Sequence, residues 1–256
     1  MIDIVQKHFY LAYQPIINRD SQVVKFEVLI RFDAQFPFSR NPQDIIEKAE
    51  EDPLTIASID HAVLNQLVHD LTHWMAQGYG MGRLSFALNA SPITLAISDQ
   101  YIAHLTALPL TVKSRLEIEV LESKIPPELE HLLRANMQKL AKQGFQISLD
   151  DFGVGYACVR KLTFDGFTNI KLDGCLTPVE QCDQTYQIVR SVVELAHNLN
   201  KTVTAEKVET QLQFDTLIEL GCDYFQGWYF SKAIACADLS AYLLSPAHQI
   251  KITEFG

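Results

Sequence analysis

The sequence predicts an α/β fold built on a predominantly parallel sheet, and two of its features predict it. From Leu84 onward, short apolar, β-branched runs alternate with longer segments of helical period, the pattern of strands joined by crossover helices. Polar residues also recur in the downstream half or at the end of the runs, at Glu27, Asn89, Glu119, Asp150, Lys171, Glu206 and Gln226. Alternation alone leaves a (β/α)8-like barrel and a doubly wound sheet both open. The polar strand ends favour the barrel, which gathers the C-terminal ends of its strands around one mouth and places its active sites there.

Taken in order, "FYLAYQPII" and "VVKFEVLIRF" are the first two strands. In the second, period-two alternation puts Glu27, Leu29 and Arg31 on one face. The runs "LSFALN", "LEIEV", "FQISLD", "NIKLDG", "TVTAEKV" and "DYFQGWYF" follow as strands. In "NIKLD" the same alternation groups Asn169, Lys171 and Asp173 on the polar, inward face. Helical period marks 41–51, 60–77, 126–144, 184–200 and 209–221. Asn41 before Pro42 suits an N-cap and first turn, Pro126 with Pro127 opens a helix, and Gly144 and Gly221 suit helix ends.

At 256 residues and 48% hydrophobic, the chain can bury a large core, and no Gly/Ser/Pro-rich linker divides it, so a single domain over 1–256 is expected. A net charge of −10 argues against a surface for DNA or RNA duplexes, whose binding draws on clustered Lys and Arg. Five cysteines without a CxxC pair fit neither a disulfide framework nor a zinc knuckle. No run approaches the ~18 apolar residues of a membrane span. These observations together predict a cytoplasmic protein with no membrane partner.

Carboxylates brought together at one mouth repel and raise one another's pKa unless something compensates. Asp, Glu and Asn oxygens are hard ligands suited to magnesium, manganese or calcium. Asp150 could bridge two ions while Asp151 holds the second, provided the chain bends after Asp150, which Gly153 and Gly155 would permit. Two ions about 3.5 to 4 Å apart can activate water and stabilise the leaving oxygen of a phosphodiester.

The motifs then reach a known family. "YQPI", "FEVLIRF", "LNAS", "EVLES", "LDDFGVGY", "IKLD", "AEKVET" and "FQGWYFSK" stand in this order between about Tyr13 and Ala237. The series resembles the EAL-type cyclic di-GMP phosphodiesterases, with Val28 replacing the signature's middle alanine. The resemblance implies a modified (β/α)8 TIM-type barrel whose first strand is antiparallel. It also implies bacterial second-messenger signalling by hydrolysis of cyclic di-GMP to linear pGpG, with Mg2+ or Mn2+ as a pair of ions. Glu27, Asn89, Glu119, Asp150 and Asp151 match the family's metal ligands. Lys171 and Glu206 match residues that hold the attacking water or second metal, with Glu206 as general base and Asp151 also at the catalytic site. By the same resemblance Gln14, Leu29, Arg31, Asp173 and Gln226 face the nucleotide or its support. Glu122 and Glu209 match structural positions, Glu122 as anchor of the loop after the Asp pair. Family members commonly form a homodimer near that loop.

Departures from the pattern shape the expectations. Val154, Ala157 and Cys158 remove hydroxyls from the loop after the Asp pair, Lys207 replaces a glycine, Leu121 a threonine and Trp228 a tyrosine. The altered segment 154–159 motivates an alternative reading, a receptor that binds cyclic di-GMP without turnover and signals to a protein partner. Elsewhere, "HDLTH" has the spacing of a zinc-protease pair, but His69 and His73 lie opposite the apolar stripe of their helix. "GYGMG" follows a helix and precedes a strand, the reverse of a nucleotide loop, and suits a helix stop.

Overall fold

The computed structural model describes residues 2–38, 41–78, 84–121, 125–153, 159–164 and 166–244. Helix α1 (Ile2–His8) leads into β1 (Phe9–Asn18), which turns back into β2 (Val23–Phe32). The turn is closed by the Asn18 side-chain oxygen, which accepts from the N–H groups of Asp20 and Gln22. Across this antiparallel pair Gln14 faces Glu27. Then follow α2 (Pro42–Glu50), α3 (Pro53–Ala76), β3 (Ser85–Ala90), α4 (Pro92–Ile97), α5 (Asp99–Ala107), α6 (Leu110–Lys113) and β4 (Leu116–Val120). The chain continues through α7 (Glu130–Lys142), β5 (Gln146–Phe152), β6 (Asn169–Leu172), α8 (Asp183–Asn198), β7 (Thr202–Ala205), α9 (Gln211–Glu219), β8 (Tyr224–Phe225), β9 (Ile234–Ala235) and α10 (Cys236–Leu244).

Strands β2 to β8 pair in sequence order, each parallel to the next, and β1 closes the ring by pairing antiparallel with both β8 and β2. The barrel with an antiparallel first strand is therefore as the sequence and the resemblance led one to expect. Strand β9 adds to the outer edge of β1.

Caps set the helix starts. Asn41, Asp52, Ser91 and Ser98 each accept from a backbone N–H in the first turn, with Pro42, Pro53 and Pro92 at N1, and Thr210 with Gln213 forms a capping box. The Asp52–Pro53 pair starts α3 seven residues before the apolar stripe that the sequence displays at Asp60. Helices α1, α4, α5, α6 and α10 were not expected. Gly78, Gly144 and Gly221 take positive φ where helices stop. Among the described residues, no helix is long and apolar enough to cross a membrane.

Side chains divide between two interiors. Phe26, Phe86, Ile118, Ile147, Leu149, Ile170 and Val203 are buried in the core that includes Leu64, Leu67, Leu71 and Trp74 of α3. The polar set lies on the other face of the same strands. Lys25 Nζ pairs with Glu117 Oε2 at 2.7 Å, Ser148 Oγ donates to Glu117, Asn169 Nδ2 donates to Ser148, and Thr202 and Thr204 donate to Asn169. Each of Lys25, Glu117, Ser148, Asn169 and Thr204 precedes a mouth residue by one alternation, so the barrel interior is filled by a self-satisfied polar layer directly beneath the mouth.

Candidate active site

Lys171, buried at the end of β6, collects four carboxylates. Its Nζ lies 2.7 Å from Glu206 Oε1, 2.9 Å from Glu119 Oε2, 3.0 Å from Asp150 Oδ1 and 3.8 Å from Glu27 Oε1. Parallel pairing brings Asn89 beside Glu119 and Lys171 beside Thr204, so strands far apart in sequence deliver their ends to one point. Asn89 Nδ2 donates to Glu27 Oε1 at 3.0 Å, and Gln226 Nε2 donates to Glu27 Oε2 at 2.5 Å.

The electrostatics follow from four acids sharing one ammonium. Burial and the neighbouring carboxylates raise Glu119 well above the usual range against the pull of Lys171. Burial also pushes Glu206 up to about 8, with Lys171 opposing and Asp150 and Glu27 reinforcing. Asp151 rises to about 6 through burial and the charge of Asp150. Burial works the same way on Glu27, but Lys171, Gln226 and Asn89 outweigh it and hold that acid low. Lys171 is itself held well above the usual lysine range: burial opposes its charge, and Asp150, Glu119 and Glu206 more than compensate.

The site fits a divalent pair. Oxygen atoms of Glu27, Glu119 and Asp150 lie within 4.8 Å of one another, as do those of Asp150, Asp151 and Glu206. Asp150 belongs to both groups. One buried oxygen here, Gln226 Oε1, has no hydrogen-bond donor among the described residues, a cost that a cation removes. All donors are hard oxygens.

The Asp pair converges by a different device from the one expected. The β5–β6 register shifts between Leu149 and Phe152, and Asp151 itself takes a left-handed φ of 55°. A β-bulge therefore turns Asp151 to the side that Asp150 already faces. Gly153 (φ 115°) follows the bend; Gly155 lies outside the described residues, as do Glu122 and 154–158 of the altered loop.

Above this floor opens a cavity of about 1220 Å³. Gln14, Leu29, Arg31, Asp173, Glu209, Gln226 and Trp228 line it together with Glu27, Asp150 and Asp151. Gln14 Nε2 donates to Ser231 O at 3.3 Å, and Arg31 Nη1 to Ile30 O at 2.8 Å. Exposed Glu209 sits at the rim, and Gln213 Oε1 accepts from its N–H. Lys207 Nζ pairs with Asp173 Oδ2 at 2.7 Å, and Glu206 stays raised despite the lysine beside it.

Sequence reasoning missed a whole arm of this cavity, formed where α2 and α3 contribute Ile46, Glu50, Ile56, Ile59 and Asp60. Asp60 is buried, accepts from the Ser91 N–H at 3.1 Å, and is raised by burial to about 7. An Asp inside a helix reads as a solvated residue unless its cap and neighbours are known, so the sequence carried no signal for it. His69 and His73 are exposed on α3, away from the site.

A family model for the EAL domain matches residues 2–233. The chain belongs to the EAL domain family. It is 25% identical over 252 residues to the biofilm architecture maintenance protein MbaA of Vibrio cholerae, covering 98% of this chain and 31% of that protein. It is 28% identical over 248 residues to the signaling protein YkoW of Bacillus subtilis, covering 94% of this chain and 30% of that one. The chain thus spans about a third of the length of these curated relatives. Among solved structures, the PaMucR phosphodiesterase in complex with c-di-GMP superposes with a TM-score of 0.78 at 26% identity, over 91% of this chain and 95% of that one.

Proposed function

We propose that this EAL domain hydrolyses cyclic di-GMP to linear pGpG in a reaction that depends on Mg2+ or Mn2+. The observation that carries the reading is the position of Asp150, shared by two carboxylate groups within ion-binding distance at the floor of a cavity with room for a dinucleotide. Glu27, Asn89, Glu119, Asp150 and Asp151 hold the ions. The ions supply Lewis acidity toward a phosphoryl oxygen and toward water.

The chain's own residues do the rest. Glu206, whose carboxyl has a high proton affinity, accepts the proton of the attacking water. Lys171 orients Glu206 and Asp150 and keeps the acids from repelling one another. Gln226 holds Glu27. Arg31 and Gln14 meet phosphate and guanine at the mouth, with Leu29 and Asp173 completing the wall. The arm between α2 and α3 suits a purine: Ile46, Ile56 and Ile59 offer apolar walls, and Asp60 offers a carboxylate to the N–H groups of a guanine edge.

Purified protein with Mg2+ or Mn2+ should convert cyclic di-GMP to one equivalent of pGpG, and Asp150→Asn should abolish this while the barrel stays folded. Nucleotide binding without turnover with either metal would refute the reading.

A further inference from the structure

Lys207 is the residue that the proposed chemistry leaves without a task. It follows Glu206 directly and takes a left-handed φ of 52°, a conformation that disfavours any residue with a Cβ. Its surroundings hold it there. Thr177 Oγ1 donates to Glu206 O, Glu206 N–H donates to Leu172 O and Val208 N–H to Gln226 O. A Cβ on Gly227 would lie 2.0 Å from Val208 O, so glycine there lets the two segments meet. The lysine stem is seated as well: a Cβ on Gly174 would lie 2.2 Å from Lys207 Cδ. The outcome is an ammonium 2.7 Å from Asp173 Oδ2 on a side chain that is 65% exposed.

Its charge falls in a telling place. Among the described residues lining the cavity, the cations are Arg31 and Lys207, while the acids include Asp150, Asp151, Asp173 and Glu206. A cyclic dinucleotide carries two phosphodiester anions and must enter past these acids. Asp173 engages one donor of the ammonium, and an ammonium has three.

We propose that Lys207 is a substrate-binding residue that donates to a phosphodiester oxygen of the nucleotide at the cavity mouth, with Asp173 fixing its position. This rests on the reading of the site as a cyclic di-GMP phosphodiesterase. A strained backbone that carries a cation to the mouth is then part of the binding device.

The test is steady-state kinetics on cyclic di-GMP with saturating Mn2+ for wild type, Lys207→Met, Lys207→Arg and Lys207→Gly, at low and high salt, with Mn2+ affinity measured separately by calorimetry. Loss of one charge-assisted contact should raise KM about tenfold in Lys207→Met, with a smaller fall in kcat and a weaker dependence of KM on salt. Lys207→Arg should retain most of the affinity. Lys207→Gly suits the left-handed backbone, so it should fold and show the same rise in KM. Unchanged KM and salt dependence in the Met and Gly variants would overturn the inference while leaving the function standing. Tighter Mn2+ binding with unchanged KM would overturn it too, since the lysine would then act on the metal. A wild-type protein without turnover would remove the proposed function and this inference with it.

Discussion

The ammonium of Lys171 lies 2.7 Å from the carboxylate of Glu206 and, among the described residues, is the one cation in contact with Glu27, Glu119, Asp150 and Glu206 together. Removing it leaves buried acids without compensation. Lys171→Met should destabilise the metal-free protein by about 3–5 kcal/mol. Mn2+ should then raise the melting temperature of the variant more than that of wild type, because ions replace the missing charge. Melts in chelator and in Mn2+ decide it; a variant that melts with wild type in chelator contradicts the prediction.

Metal binding should release protons. Without ions, burial holds Glu206 at about 8 and Asp151 at about 6, so at neutral pH Glu206 is largely protonated, and ions held by the acids around it should drive off its proton and free it as a base. Apparent Mn2+ affinity should therefore rise from pH 6 to 8. Calorimetry in buffers of different ionisation enthalpy should register the released proton, and an affinity flat across this range would contradict the assignment.

Asp60 couples stability to pH. Its carboxyl is raised from 3.8 to about 7, so the unfolded chain ionises first and stability falls as pH rises between about 4 and 7. The full loss, of the order of 4 kcal/mol at most, is reached above pH 7. Asp60→Asn keeps an acceptor for the Ser91 N–H and should remove that slope, making the variant more stable than wild type at pH 8 but not at pH 4. It should also weaken cyclic di-GMP binding about tenfold if Asp60 accepts from guanine. Urea titrations at both pH values, with nucleotide calorimetry, check each part.

The Lys25–Glu117 pair beneath the mouth is buried on both sides. Lys25→Met alone should cost about 3–5 kcal/mol, and Lys25→Met with Glu117→Leu should cost less than the single change. A double-mutant cycle in urea measures it; additive losses would mean that the two charges do not compensate each other.

Much of this site was legible because barrel geometry converts a one-dimensional pattern into a meeting point. An acid or lysine ending an apolar run can only be at the mouth, which is why Glu119, Asp150 and Lys171 stood out. What stayed hidden depends on neighbours from other elements. Asp60 and Asp70 are buried in α3 beside partners from other elements that no helical period reveals: Ser91 for the first, and for the second, besides Gln66 one turn earlier, the Tyr13 hydroxyl, which donates to it at 2.6 Å. The bulge at Asp151 was misread because left-handed backbone is normally assigned to glycine, and Gly153 was the nearer suspect. Helices α4, α5 and α6 are short, and the Ser91 and Ser98 caps of α4 and α5 look like ordinary loop residues until hydrogen bonds are seen. The pairing of Lys207 with Asp173 joins the ends of β6 and β7, a contact with no sequence signature.

The reversed direction of β1 has a mechanical consequence. Because it runs against its neighbours, Phe9 pairs with Phe32 at the mouth end of β2, and the chain enters the barrel from the side on which the cavity opens. Helix α1 is thus tethered at the catalytic rim, with the Asp33 N–H donating to the His8 carbonyl, and Gln14 lies a short way along the same strand. A change in the position of α1 would therefore reach the rim of the cavity through β1 alone, without passing through the barrel core.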